Sequence, residues 1–286
     1  MTQGFAGKTV WVTGASSGIG RALAVELDSR GARLVISGRR ETALAQTKAQ
    51  LSLPALVLAF EATDHDALPA VVDEAVAWRP GGIDMLINNA GVSQRSLIID
   101  TDFSVYRELM EVDFFAPVRL TQLILPHMMK RGNGHVAVIS SVAGKIGVPL
   151  RGGYSAAKHA ILGWYDTLRA EVELAYGIDV SVILPGSVRT DVAINALSGT
   201  GEARGHSDEN IANGMPVAEA ARQIAEGLSA RVREFVVAEG QEARAAMLRA
   251  QQPEMIFEML AKEGALLAEA RSAAGPDWRP EPTRIR

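Results

Sequence analysis

Tyr154 and Lys158 are the first residues in the chain whose types and spacing could do chemistry. They stand four positions apart in the run YSAAKHA (154–160), and in a helix two such residues share a face, one turn apart. An ammonium group beside a phenol favours the phenolate, so the pair could exchange a proton with a bound molecule. An isolated Tyr-x-x-x-Lys is more often an ordinary surface pair, and the rest of the sequence has to distinguish the two interpretations.

A glycine-rich turn, TGASSGIG, begins at Thr13, directly after an apolar run that predicts a strand. Gly14, Gly18 and Gly20 allow a tight turn and a close approach of the backbone to a phosphate. The helix predicted to follow offers free N–H groups and a favourable dipole to an anion. The spacing differs from the commoner G-x-G-x-x-G, and such a turn alone is a weak signal. Its place between the first strand and the first helix nevertheless predicts a dinucleotide site.

Arg39 and Arg40 follow the second predicted strand, where NAD-binding folds usually carry an acidic residue for the ribose 2′-hydroxyl. Gly38 leaves that place without a carboxylate, and Arg39 can pair with a 2′-phosphate through its forked donors. This arrangement predicts NADP(H) as the cofactor. Two alternatives stay open: the arginines begin a helix in solvent, or Glu41 supplies the missing carboxylate.

Short apolar runs alternate with helical patterns along most of the chain. The runs are TVWVT (9–13), RLVIS (33–37), ALVLAF (55–60), DMLIN (84–88), HVAVIS (135–140), DVSVILP (179–185) and REFVVA (233–238). Each is apolar nearly throughout, as expected for strands buried on both faces. Strands that alternate with helices imply right-handed crossovers and a parallel sheet. The sequence therefore predicts an α/β fold, a single doubly wound, Rossmann-type parallel sheet with helices on both faces.

Two units are predicted along the chain: a Rossmann-type domain over residues 1–239 and a helical C-terminal extension over residues 240–286. Within the first, residues 191–214 are rich in Gly, Ser, Asn and charge. A long irregular segment in a compact domain is often functional, so we predict a substrate lid there. The extension carries apolar residues that could pack on the chain's own body or on a second subunit: Met247, Leu248, Met255, Ile256, Met259 and Leu260.

Composition excludes several classes of protein. The 286 residues are 48% hydrophobic and 22% charged, with a net charge of −4, which gives no reason to expect a nucleic acid or an anionic membrane as partner. The absence of cysteine excludes disulfides and fits a cytoplasmic location. No run predicts a signal peptide or a transmembrane segment. The five histidines lack metal-ligand spacing, so no metal site is predicted.

Further motifs follow the predicted strands at their carboxyl ends, where ligands bind in open α/β sheets. NNAG (88–91) ends the fourth strand, SSVAGK (140–145) follows the fifth, and PG (185–186) ends the sixth. Ser141 in the second of these precedes Tyr154 by thirteen residues. Each motif alone could be a plain loop. Their order along one chain is a much more specific signal.

The four motifs, TGASSGIG, NNAG, S-x12-Y-x-x-x-K and PG, resemble the short-chain dehydrogenase/reductase family, of the NADP-preferring carbonyl reductase type. The resemblance implies an enzyme that interconverts a carbonyl and a secondary alcohol by hydride transfer with NADP(H). It implies that Tyr154 donates or accepts the proton, that Lys158 favours the phenolate, and that Ser141 binds the substrate oxygen. The residues it implies as cofactor contacts are Gly14, Ser16, Ser17, Gly18, Ile19, Gly20, Arg39, Arg40, Glu61, Asn89, Ala90, Gly91, Tyr154, Lys158, Pro185, Gly186, Val188 and Thr190.

Two positions depart from the pattern of that family. Glu61 stands where the family usually has an aspartate against the adenine, with Asp64 as an alternative. Asp113 stands in place of a catalytic asparagine that, in the family, stabilises a helix distortion and binds a water linked to the lysine. We count Asp113 among the catalytic residues. Its carboxylate could pair with Lys158, or disfavour the Tyr154 phenolate by like-charge repulsion.

Asp113 also keeps open a second function, that of a cofactor-binding scaffold or regulator without turnover. The intact Ser141, Tyr154 and Lys158 argue against it. A third hypothesis is a related enzyme that epimerises or dehydrates its substrate with tightly held NAD. Arg39 argues against it.

The sequence gives the least information about the substrate and the oligomeric state. The apolar residues around 92–99 and 146–150 favour an apolar carbonyl compound as substrate. The predicted helix over 153–177 is apolar on more than one side. In the resembled family the equivalent helix packs against a neighbouring subunit, so we expect a homodimer or a homotetramer.

Overall fold

The fold is built on a seven-stranded parallel sheet, described in a computed structural model that covers residues 4–275 and 278–282. The strands are β1 (Thr9–Thr13), β2 (Arg33–Gly38), β3 (Ala55–Ala59), β4 (Met85–Asn88), β5 (Gly134–Ile139), β6 (Ile178–Pro185) and β7 (Glu234–Val237). Their order across the sheet is β3-β2-β1-β4-β5-β6-β7. All seven predicted strands are confirmed, to within a residue or two at each end, and so is the doubly wound α/β class.

Helices cover both faces of the sheet. They are α1 (Gly18–Ser29), α2 (Glu41–Lys48), α3 (Leu68–Ala77), α4 (Phe103–Met110), α5 (Ala116–Arg131), α6 (Gly152–Tyr176), α7 (Glu209–Ala212), α8 (Val217–Ser229), α9 (Gly240–Gln251) and α10 (Pro253–Ala274). Side chains of α1, α2 and α8 form the apolar core on one face, and those of α3, α5 and α6 form the core on the other. Along β1 the neighbours Val10 and Trp11 enter opposite cores, which explains why the strands are apolar throughout.

The order of the strands reverses between β1 and β4, which are neighbours in the sheet although β2 and β3 lie between them in the chain. Crevices at such a switch point bind ligands in doubly wound sheets. The glycine turn leaves β1 at this point, and the NNAG turn leaves β4 beside it. The fold thus brings the two predicted turns together at one edge of the sheet.

A π-helical turn, Glu111–Phe115, joins α4 to α5 and contains Asp113. Such turns are rare and often lie at functional sites because they redirect the side chains of one helical turn. Asp113 is almost completely buried there. The helix distortion that the family resemblance associates with this position is therefore present in the chain.

The C-terminal helices pack against the body of the chain. Leu248, Ile256, Met259 and Leu260 join an apolar cluster with residues that follow β5, whereas Met247 and Met255 are exposed. Four of the six predicted apolar side chains thus contact the chain's own body. Among the described residues, no helix is both long and apolar enough to cross a bilayer.

Candidate active site

A single cavity of about 960 Å³ runs along the carboxyl edge of the sheet, past the switch point. Its wall contains eighteen of the twenty residues singled out in the sequence: Gly14, Ser16, Ser17, Gly18, Ile19, Arg39, Arg40, Glu61, Asn89, Ala90, Gly91, Ser141, Tyr154, Lys158, Pro185, Gly186, Val188 and Thr190. The other two, Gly20 and Asp113, lie directly behind this wall. The fold brings together side chains that are up to 176 positions apart, from Gly14 to Thr190.

The glycine turn is packed against the NNAG turn so closely that two of its glycines cannot be replaced. A Cβ atom on Gly14 would lie 2.8 Å from the Cα of Ala90, and one on Gly20 would overlap the side-chain amide of Asn89. That amide donates a hydrogen bond to the carbonyl of Thr13 at 2.9 Å. Gly14 and Gly20 therefore serve the close contact between the two turns. Gly18, with a φ of 53°, needs the freedom of glycine for its own backbone.

Arg39 and Arg40, which follow β2 in the cavity wall, contact different partners. Arg40 donates hydrogen bonds from Nη2 to the hydroxyls of Ser17 at 3.0 Å and Ser16 at 3.3 Å. Arg39 is mostly exposed, and its Nη1 lies 3.5 Å from a carboxylate oxygen of Glu61. Glu41, the alternative carboxylate, is not part of the cavity wall, and neither is Asp64.

Tyr154 lies near the start of α6, and the side chain of Gln94 holds that end of the helix in place. The sequence analysis did not predict this role. The side-chain carbonyl of Gln94 accepts hydrogen bonds from the backbone N–H groups of Gly153 at 2.8 Å and Tyr154 at 3.3 Å. The first N–H groups of a helix have no partner inside it, so this contact acts as a cap. Gln94 is completely buried. Its position in a loop gave no sequence signal for this role.

Lys158 lies one turn after Tyr154, with its ammonium nitrogen 5.6 Å from the centre of the tyrosine ring. The same nitrogen is 3.3 Å from Oδ1 of Asp113 and donates a hydrogen bond to the carbonyl of Ile139 at 3.2 Å. Oδ1 of Asp113 also accepts a hydrogen bond from the backbone N–H of Val92 at 3.1 Å. The predicted contact between Asp113 and Lys158 is therefore present, as a buried ion pair behind the cavity wall.

Burial and charge act against each other in this pair. Burial alone lowers the pKa of Lys158, but the neighbouring Asp113 carboxylate, helped by Tyr154, raises that pKa above its ordinary value. Burial raises the pKa of the Asp113 carboxyl, against the opposing effects of Lys158 and the Val92 amide. Lys158 consequently keeps its proton throughout the neutral pH range.

A second buried ion pair holds the 191–214 segment against the loop after β4. Arg95 donates from Nε to Oδ2 of Asp208 at 2.9 Å, and both side chains are essentially inaccessible to solvent. Arg204 adds a contact to the same oxygen at 3.4 Å and also pairs with Glu281 of the C-terminal tail. Burial, followed by the nearby charge of Arg151, lowers the pKa of Arg95 to about 10. No motif in the sequence pointed to this pair.

Comparison with known proteins identifies the family. The family described as short chain dehydrogenase matches residues 8–200. The chain is also 40% identical over 263 residues to dehydrogenase/reductase SDR family member 7B of Danio rerio, a match that covers 89% of this chain and 84% of the relative. The chain belongs to the short-chain dehydrogenase/reductase family. The family resemblance of the motifs is thereby confirmed.

Solved structures of short-chain dehydrogenases share the fold. A member from Burkholderia phymatum, in complex with NAD, matches with a TM-score of 0.78 at 23% identity and covers 89% of this chain and 96% of its own. A member from Sphingobium yanoikuyae, in complex with NADPH, matches with a TM-score of 0.72 at 26% identity and covers 87% and 95%. Structures of this fold have thus been solved with either nicotinamide cofactor.

Proposed function

We propose that this chain is an NADP(H)-dependent oxidoreductase that interconverts a carbonyl and a secondary alcohol. The observation that carries the proposal is that Ser141, Tyr154 and Lys158 line the same cavity as the glycine turn. Membership of the short-chain dehydrogenase/reductase family supports this reaction class. Apolar side chains in the wall, such as Ile146 and Val148, support a substrate with an apolar body.

The walls of the cavity fit a nicotinamide dinucleotide. Gly14 and Gly18 present bare backbone at the start of α1, where a phosphate can approach the free N–H groups of the helix. The guanidinium of Arg40, which donates a hydrogen bond to Ser17, adds a positive charge beside the glycine turn. Pro185, Gly186, Val188 and Thr190 continue the wall from the end of β6 toward the glycine turn. We propose that this segment lies along the nicotinamide.

Each of the three catalytic side chains has its own part in the proposed reaction. Bound NADPH supplies the hydride. Tyr154 gives a proton to the carbonyl oxygen as that oxygen gains charge, and takes it back in the reverse direction. Lys158 stabilises the phenolate that Tyr154 becomes. The hydroxyl of Ser141 donates to the carbonyl of Pro185 across 3.4 Å, a weak bond that it can exchange for one to the substrate oxygen.

The direct test uses the wild-type protein. NADPH and NADH are titrated into it and followed by fluorescence, and apolar ketones and aldehydes are then added to the complex. We expect NADPH to bind and to be consumed with at least one carbonyl compound. Binding without consumption across a broad panel and pH range would instead favour the scaffold or regulator, a candidate supported by the engagement of Lys158 with Asp113.

The two arginines predict the choice of cofactor. Replacing Arg40 by alanine should weaken NADPH binding by about 10- to 100-fold, because a charge-assisted contact to the 2′-phosphate is lost. NADH has no such phosphate, so its affinity should change little. Arg39→Asp should shift the preference toward NADH by adding both repulsion and a carboxylate for the 2′-hydroxyl. The measurement is the ratio of the two dissociation constants, and a ratio unchanged in both variants contradicts the assignment.

The carboxylate of Asp113 should determine the pH range over which the enzyme is active, and turnover should not depend on it. In an Asp113→Asn variant the carboxylate no longer raises the pKa of Lys158, and burial then lowers it. The ammonium is lost at lower pH, so the alkaline limb of kcat/KM should move down by at least about one pH unit. Turnover at neutral pH should persist.

The matched control for this variant is Glu111→Gln. Glu111 lies in the same π-helical turn, but it is half-exposed and contacts His65, away from Lys158. Its replacement should leave the pH profile as it is in the wild-type enzyme. An unchanged profile in Asp113→Asn would show that the carboxylate does not act on Lys158.

The assembly and the lid are further parts of the proposal. The exposed face of α6 carries small residues, among them Ala156, Gly163 and Thr167, which supports the close approach of a second subunit in a homodimer or homotetramer. The 191–214 segment contributes Val192, Leu197 and other residues to the cavity wall, which supports a role as substrate lid. Light scattering at micromolar concentration tests the assembly.

A further inference from the structure

Arg151 is a cation in the wall of the cavity, and the proposed reaction does not use it. It directly precedes α6 and lines the same wall as Tyr154, three positions later. A backbone bridge to Ser96 ties it to the loop after β4. A molecule that fills this cavity therefore has both Arg151 and Tyr154 in its wall.

The backbone before Arg151 is strained. Leu150 has a φ of 67°, although it is a buried leucine without the freedom of glycine. Branched residues rarely adopt this left-handed conformation, and strain of this kind gathers at functional sites, where the surrounding structure holds it in place. The bridge to Ser96 and the hydrogen bond from the Ser96 N–H to the Leu150 carbonyl, at 3.0 Å, provide that support.

Arg151 differs from the other arginines around it in its lack of an acceptor. Arg95 and Arg204 both contact Asp208. Arg151 makes no side-chain hydrogen bond and no ion pair with any residue in the described part of the chain, and its Nε is inaccessible to water. A buried N–H group without a partner is costly, and an arginine fork is built to bind a carboxylate or a phosphate.

Carboxylates in the cavity wall do not supply the missing partner. Within the described part of the chain, no ion pair joins Arg151 to a carboxylate that lines the cavity. The positive charge of Arg151 reaches Arg95 and disfavours its protonated form. Arg151 also helps to lower the pKa of Asp208, but that carboxylate already contacts Arg95 and Arg204. The cavity wall therefore presents a guanidinium that forms no direct ion pair within the described part of the chain.

We propose that Arg151 binds an anionic group, a carboxylate or a phosphate, on the substrate of this enzyme. The proposal rests on the proposed reductase function and narrows it: the substrate joins an apolar body to an acidic group close to its carbonyl. Arg151 is the residue that selects for that group. A neutral compound of the same shape would leave the guanidinium without an acceptor and would be a poorer substrate.

Matched pairs of aldehydes test this proposal. One pair is para-formylbenzoate and its methyl ester, and the other is para-formylphenyl phosphate and para-methoxybenzaldehyde. We expect the wild-type enzyme to show a kcat/KM at least about tenfold higher for the charged member of one pair, as one charge-assisted contact provides. The pair that shows the preference distinguishes a carboxylate from a phosphate.

Three variants make the test specific. In Arg151→Met the ratio of kcat/KM for the charged aldehyde to that for the neutral one should fall to near one. In Arg151→Lys, which keeps the positive charge but not the forked guanidinium, this ratio should be intermediate. Arg107→Met removes an exposed arginine of α4 and should keep the wild-type preference. An unaltered NADPH affinity in Arg151→Met confirms that the variant is folded. Equal use of charged and neutral aldehydes by the wild type, or a preference that survives in Arg151→Met, overturns the proposal.

A binding measurement separates this proposal from the proposed function. Benzoate and phenyl phosphate are titrated calorimetrically into the complex of enzyme and NADPH. If no aldehyde is consumed but one of these anions binds to wild type and not to Arg151→Met, the anion site stands and the reductase function fails. If aldehydes are consumed without preference and neither anion binds, the reductase stands and the anion site fails.

Discussion

Replacing Tyr154 by phenylalanine should lower kcat for carbonyl reduction by about a hundred- to ten-thousand-fold, the usual contribution of a positioned acid. The substitution removes one oxygen atom and keeps the ring that packs beside Val92 and near Leu109. The hydride can still be delivered, but the developing charge on the carbonyl oxygen then receives no proton. Single-turnover consumption of NADPH, followed by absorbance, measures the loss directly.

The control for this variant separates chemistry from binding. The NADPH dissociation constant of Tyr154→Phe should rise by less than about tenfold, because at most one neutral hydrogen bond to the cofactor is lost. Tyr106→Phe, which removes an exposed hydroxyl from α4, should leave both quantities at their wild-type values. A Tyr154→Phe variant that retains more than about a tenth of wild-type kcat would assign the proton to another group.

The architecture could be predicted from the sequence because its signals are local and repeated. A strand buried on both faces must be apolar along its whole length, and Trp11 and Ile36 both lie in such runs. Parallel strands place their carboxyl ends at one edge, so turns that follow β1, β4, β5 and β6 had to meet there. That is why eighteen of the singled-out residues share one cavity.

Other parts of the site depend on contacts between distant segments, which carry no local signal. Arg95 and Asp208 are 113 positions apart, and neither stands in a recognisable motif. Gln94 acts on α6 across 60 positions. Arg151 lies inside a loop, and only the three-dimensional structure indicates that its neighbours provide no acceptor. The residues that we propose to shape substrate selection therefore required coordinates, whereas those that we propose to bind the cofactor did not.

The pairing of Asp113 with Lys158 could be predicted only in part from the sequence. The sequence placed an aspartate where the family resemblance expects asparagine, and helical spacing alone could not decide whether it faces the lysine. The π-helical turn at Glu111–Phe115 turns the carboxylate inward, to 3.3 Å from the ammonium. Gly91 makes room for the pair, since a Cβ there would lie 2.5 Å from the Asp113 carboxylate. The local distortion and one glycine thus decide the contact.

Replacing Asp208 by asparagine should destabilise the protein by about 3–5 kcal/mol, because it leaves the buried guanidinium of Arg95 without its counter-charge. Asparagine can still accept the hydrogen bond from the Ile211 N–H at the start of α7, which the aspartate accepts at 3.0 Å, so the cap is preserved. The loss is therefore electrostatic. Denaturant unfolding measures it, and the melting temperature should fall by roughly 6–12 °C.

Two further variants identify burial as the cause of this large effect. Glu173→Ala breaks an ion pair with Arg233 whose guanidinium is mostly exposed, and should cost less than about 1 kcal/mol. The double variant Arg95→Met/Asp208→Leu replaces the buried pair by apolar groups. It should be more stable than Asp208→Asn because Arg95 no longer leaves an unpaired buried charge, while Arg204 keeps its ion pair with Glu281. If Asp208→Asn unfolds at the wild-type denaturant concentration but is cleaved by protease within 191–214, then the pair holds only that segment. Its loss then opens this part of the cavity wall while the sheet stays intact.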